Sequence, residues 1–215
     1  MAQKNQSIRK ATFEDLFQLV EICNKCFPSR LRWTSKRYLA RSWWKVALTD
    51  SAAEAWVFVE NNTIKGFCVL IINEPKWNEQ RRIRRGSLFS GGLSMILHPI
   101  IAFHFVLGAF TKNLRINSFS SVANRDLPAG WGPHWRTWLE LIAVKPEQQG
   151  KGVAGKLIDK CCQRTIDLGR HAVALKVNAH NTTAKRLYEK HGFMCYRSDI
   201  KDLYVKLLLQ SEISK

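Results

Sequence analysis

The chain has 215 residues, 46% hydrophobic and 24% charged, enough for one substantial globular domain and a balance that excludes a disordered or fibrous chain. Thirty-four Lys and Arg against 17 Asp and Glu give a formal charge of +17. That surplus excludes an acidic solvating chain and favours polyanionic partners, namely nucleic acid, anionic lipid or phosphorylated cofactors.

The first residues, 1–6, are polar and do not form the apolar core of a signal peptide, so the expected setting is cytoplasmic and reducing. Residues 7–10 have the pattern of a short strand. Thr12 stands as N-cap before a helix on which Phe13, Leu16, Phe17, Val20, Cys23 and Phe27 recur at helical spacing, until Pro28 stops it. The same spacing returns over 34–48, with Leu39, Trp43, Val46 and Ala47 on one face. Residues 55–60 and 63–72 flank Asn61-Asn62, which reads as a hairpin turn.

Residues 74–130 break this rhythm. Trp77 and a cluster at Arg81, Arg82, Arg84 and Arg85 precede 23 residues, 88–110, that carry no Asp, Glu, Lys or Arg. That length would just cross a bilayer. Gly91-Gly92, His98-Pro99, His104 and Gly108 interrupt it, however, and Pro99 divides it into pieces each too short to span. Two or more packed helices, inserted between the third and fourth strands, are expected. A loop follows over 124–134, then a strand at 136–144, a helix at 150–168 and a buried strand at 172–177. A helix at 182–191 and paired strands at 193–197 and 203–209 complete the chain.

The six cysteines and six histidines offer no metal set. Cys23-Asn24-Lys25-Cys26 lacks a second pair at zinc spacing and falls within an apolar-periodic helix, and Cys161-Cys162 lies on another. No metal is expected.

The most telling local pattern is Gln149-Gly150-Lys151-Gly152-Val153-Ala154, which joins a strand to a helix. Glycines turn the chain tightly, and the new helix presents unpaired N–H groups and the positive end of its dipole, a corner suited to a phosphate or pyrophosphate. No P-loop string occurs. Gly150-Lys151-Gly152-Val153-Ala154-Gly155 satisfies a dinucleotide-binding pattern, but no acidic residue closes the next strand, 172–177.

With the preceding Leu141-Ile142-Ala143-Val144, the corner resembles the acyl-CoA signature of the GNAT superfamily of N-acyltransferases. Downstream, Asn181-Thr182-Thr183-Ala184-Lys185-Arg186-Leu187-Tyr188-Glu189-Lys190-His191-Gly192-Phe193 is similar to that family's second motif. The likeness is close over 136–209, looser over 6–73 and absent over 74–130. Pro133-His134-Trp135 adds a faint similarity to the puromycin-acetyltransferase-like branch.

The resemblance implies an α/β fold: a mixed, mostly antiparallel central sheet flanked by helices, as one domain over 1–215 with an insert at 74–130. It implies acetyl-CoA as co-substrate. The pyrophosphate would lie on the N–H groups of Gly150, Lys151, Gly152, Val153 and Ala154, with Gln149 and Gly155 in the same loop. The pantetheine arm would pair with the backbone of Ile142 and Val144 and meet Asn181 and Ala184. Glu140, the one acidic residue within the 136–144 strand, is the candidate base. A bulge in that strand would redirect it. Tyr188 is the candidate acid, two helical turns beyond Asn181.

The acceptor expected is a primary amine of a small molecule. A protein or peptide amine is the alternative. So is a basic binding protein on the same fold, associated with nucleic acid or the ribosome through Arg81–Arg85 and Trp77, or an enzyme using 76–110 on an anionic lipid surface. A CoA thioester does not by itself call for a charge of +17.

Overall fold

In a computed structural model, the described residues are 5–27, 37–80, 130–198 and 200–208, with side chains described from 43 onward in the second stretch. The chain divides into two compact units, Met1–Glu74 with Pro133–Lys215, and Pro75–Gly132. Of the second, only 75–80, which is helical, and 130–132 are described. The expected insert helices and the uncharged run at 88–110 therefore lie outside the described residues. Among those that are described, no helix is long and apolar enough to cross a membrane.

The first unit is built on a seven-stranded sheet. Its strands are β1 (Gln6–Lys10), β2 (Ala53–Glu60), β3 (Thr63–Ile71), β4 (Arg136–Val144), β5 (Ala172–Asn178), β6 (Met194–Arg197) and β7 (Lys201–Leu207). They lie in the order β1-β2-β3-β4-β5-β7-β6. Only β4 and β5 run parallel; every other neighbouring pair is antiparallel. The helices are α1 (Leu16–Cys26), α2 (Arg37–Thr49), α3 (Val153–Asp167) and α4 (Thr182–Lys190). This is the mixed, mostly antiparallel α/β sheet expected.

The β2–β3 hairpin turns at Asn61 and Asn62, with φ of 50° and 57°. Asn tolerates that left-handed geometry, and the twist of such a turn matches the strands it joins. On one sheet face, Leu157, Ile158 and Cys161 of α3 pack against Cys68, Leu70, Leu139, Val173 and Leu175. On the other, Trp44 of α2 meets Phe67 edge-on at 5.3 Å.

Two helix faces differ from the periodicity. In α1 the buried residues are Leu19, Ile22 and Cys23, while Phe17 is 81% exposed and Phe13 is also exposed. The helix is apolar on more than one side, and an ion pair lies at its start. Asp15, buried just before α1, accepts from both Arg9 guanidinium nitrogens at 2.7 and 2.8 Å and from the Thr12 N–H at 2.8 Å. In α2, of the adjacent pair Trp43 and Trp44, it is Trp44 that is buried.

The Arg9 hydrogen bonds, foremost, hold the Asp15 carboxyl below its ordinary range despite burial. Its contribution is thus present above the ordinary carboxylate pKa and lost as pH falls through the lowered folded value. Asp15→Asn should cost about 1–2 kcal/mol at neutral pH, a figure reduced for the exposure of Arg9. The deficit should shrink in acid, as read by denaturant titration at both pH values; an equal deficit in acid would contradict the ion-pair account.

Candidate donor cleft at the β4–β5 split

The parallel pairing of β4 with β5 covers only Arg136↔Ala172 through Leu139↔Leu175. Beyond Leu139 the two strands continue, β4 to Val144 and β5 to Asn178, but they no longer pair. A wedge opens between them toward their C-terminal ends.

Two features produce it. The first is a bulge: the β3–β4 register steps from Val69↔Leu141 to Leu70↔Leu139. Glu140 is the extra residue, and a bulge bends its strand away from the earlier direction. The second is the pairing of the rest of β4 with β3 alone. The Lys145 N–H donates to the Lys65 carbonyl at 2.9 Å. Antiparallel alternation from that bond turns the backbone groups of Leu141 and Ala143 toward β3 and those of Ile142 and Val144 into the wedge. These are the two positions at which the sequence anticipates backbone pairing to a cofactor arm.

At the wide end lies the glycine corner. After the short turn Pro146–Gln148, Gly150 and Gly152 take φ of 76° and 79°, left-handed values that a side chain disfavours. Gly152 caps α3. Helix geometry leaves the N–H groups of the first turn, through Val153, Ala154 and Gly155, without intrahelical acceptors. No acidic residue stands in that turn, so nothing opposes an anion there. Gly150, Lys151 and Gly152 are exposed, Val153 is buried and Ala154 is half-buried.

Gly155 serves another contact. It is buried, and a Cβ added to it would sit 2.8 Å from two atoms of the His191 ring. Its small size lets α3 approach the end of α4, where His191 Nδ1 lies 3.4 Å from Asp159. Gln149 does not extend toward the loop's open side; its Nε2 donates to the Val144 carbonyl at 3.1 Å.

Helix α4 follows β5, so its N-terminus lies at the same end of the parallel pair as the glycine corner. Asn181 caps it, Oδ1 accepting from the Ala184 N–H at 3.1 Å. Ala184 packs at the margin of the core, and Tyr188 is inside it, with ring centroids 5.7 Å from Phe193 and 6.3 Å from Tyr204. Burial, then the nearby Cys161 and Cys68 thiols, pushes the Tyr188 phenol above its ordinary range. Glu140, half-buried, lies between buried Leu139 and half-buried Leu141, and it has an interaction partner in the fold.

The structure thus gathers Ile142, Val144 and the 149–154 corner around one wedge, with Asn181 following β5 at the same, wide end. It places Tyr188 deeper than an exposed acid would be, and Gly155 on a packing face. Gly66 goes unnoticed in the sequence reading. A Cβ there would meet the Ala143 carbonyl at 2.9 Å and side-chain atoms of Val144 and Val153 at 3.0 Å, so its absence seats the start of α3 on the end of β4. An isolated glycine within a strand pattern was the available signal. Among the described residues, no group of three or more His, Cys, Asp or Glu is placed to hold a metal ion.

Residues 117–193 match the Acetyltransferase (GNAT) family. A mycothiol acetyltransferase of Paenarthrobacter aurescens (strain TC1) is 37% identical over 70 residues, 32% of this chain. The stretch spans only 22% of that relative's length. Among solved structures, Arabidopsis thaliana NAA60 in complex with a bisubstrate analogue matches with a TM-score of 0.59 at 17% identity, covering 95% of this chain and 100% of that one. The PaiA N-acetyltransferase of Thermoplasma acidophilum in complex with coenzyme A matches with a TM-score of 0.54 at 15% identity, covering 95% and 99%. At those identities the two structures establish a shared fold.

Proposed function

We propose that this chain, whose residues 117–193 match the Acetyltransferase (GNAT) family, is an acetyl-CoA-dependent N-acetyltransferase acting by direct attack of a small-molecule primary amine on the thioester. The observation that carries this is the wedge between β4 and β5, with two residues of outward-facing backbone and an anion-ready helix start at its mouth. An extended amide chain fits the first as an added strand, and a pyrophosphate fits the second. The name of the Paenarthrobacter relative favours a small-molecule acceptor over a protein.

Acetyl-CoA supplies the activated acyl carbon. The backbone of Ile142 and Val144 fixes the donor's arm, and the N–H groups of 150–154 fix its phosphates. Glu140 takes a proton from the attacking amine, directly or through water. Its bulge frees it from the regular alternation of β4. Tyr188 faces the departing sulfur as a hydrogen-bond donor. Its raised pKa keeps the phenol protonated, so it steadies the developing thiolate through the hydrogen bond, and the thiolate takes its proton from solvent as coenzyme A leaves.

An amine-library screen with detection of released thiol tests the assignment. Acetyl-CoA-dependent release with small primary amines is expected. Release with peptides alone would overturn the acceptor class, and no release with any amine would overturn the enzymatic reading.

A further inference from the structure

We infer that Cys26 is a positioning residue of the donor site: with Gln149 it occupies the Val144 carbonyl, so that the mouth of the wedge presents the Val144 N–H rather than its oxygen to the donor. The inference rests on the donor-site reading above and adds a residue from α1, outside both sequence motifs.

Cys26 ends α1, and its Sγ donates to the Val144 carbonyl at 3.1 Å. The Gln149 Nε2 donates to the same oxygen, also at 3.1 Å. A backbone carbonyl has two lone pairs, so both are used. Cys26 is held in place because the helix stays closed to its end, with the Phe27 N–H bonded to the Cys23 carbonyl at 2.8 Å. Burial pushes both thiols of the Cys-x-x-Cys up, Cys23 to about 12. The pair therefore stays protonated, and Cys26 acts as an S–H donor and not as a thiolate.

Donor binding has a consequence of register. An extended amide chain laid along this edge cannot donate to the Val144 oxygen, and is steered to accept from its N–H and to donate to Ile142 one step back. Loss of the Cys26 bond leaves Gln149 as that oxygen's one remaining donor and loosens the strand end that presents the Val144 N–H, so the donor's arm is held less tightly. Cys26 touches neither substrate in this arrangement; it acts through the strand.

The test uses the full chain with Cys26→Ala and Cys26→Ser, coenzyme A affinity by calorimetry and donor KM with kcat by thiol release. Thermal melting confirms that each variant is folded. Cys26→Ala should weaken coenzyme A binding and raise donor KM about 2- to 5-fold, the range for one weak hydrogen bond, with kcat within about twofold. Cys26→Ser should restore both, because a hydroxyl also donates. Unchanged affinity in Cys26→Ala, or a serine variant as impaired as the alanine one, overturns the inference while leaving the donor site standing. Absence of coenzyme A binding by the wild type overturns the donor site and the inference with it.

Discussion

Tyr188→Phe should lower kcat by about 10²-fold while coenzyme A affinity stays within about twofold. The substitution removes one oxygen from a ring already packed against Phe193 and Tyr204, so the core is preserved and the fold should be as stable or slightly more so. What is lost is the donor that meets negative charge as it develops on sulfur, an interaction made in the transition state and not with the bound thioester. Turnover and calorimetric Kd, measured on the same preparation, separate the two. A phenylalanine variant with wild-type turnover would return Tyr188 to the role of a core residue, which its burial also suits.

Glu140→Gln should reduce kcat/KM by about 10²-fold near neutral pH, with a deficit that narrows as pH rises. An alkyl amine with a pKa near that of lysine, about 10.4, is almost wholly protonated at neutral pH and needs a base. As pH approaches that value the free amine is supplied by solution, and the base matters less. Glutamine keeps the volume at the bulge and removes only the ability to take a proton. A deficit of equal size across the pH range, or none, would assign Glu140 to holding the β4 bulge and not to chemistry.

Much of the sheet was legible because local chemistry ended its elements sharply. β4 was expected at 136–144 and is found as Arg136–Val144, closed by Pro146 and the turn into the glycine corner. Asn61-Asn62 signalled a hairpin, and both residues take the positive φ it needs. The helix starting at 150 in the sequence reading starts instead at Val153, since Gly150 and Gly152 spend their freedom on the left-handed turn before it. The face of α1 was not legible. Leu16, Phe17, Leu19, Val20, Ile22 and Cys23 supply apolar residues to more than one stripe, and which of them packs inward is a matter of tertiary contact that spacing does not reveal.

In the candidate site, sequence named the backbone positions Ile142 and Val144 and the glycine corner, because motif spacing encodes local backbone shape. It did not reveal that β4 and β5 part after Leu139, since no residue type marks where two strands diverge. Nor did it couple Cys26 to Val144, which are 118 positions apart. Gln149 illustrates the same limit: its place in the motif was plain, but its side chain bonds the strand behind it. The chain's charge surplus, +17 overall, likewise has no address in the sequence beyond the Arg81–Arg85 cluster, which lies outside the described residues.

The most direct test is isothermal calorimetry of coenzyme A into the purified, folded wild-type chain. Saturable binding at one site per chain, weakened as salt rises because phosphates are being held, is the predicted result. A folded protein that gives no binding heat at any practical concentration, with no displacement of a fluorescent CoA analogue, would contradict a donor cleft between β4 and β5.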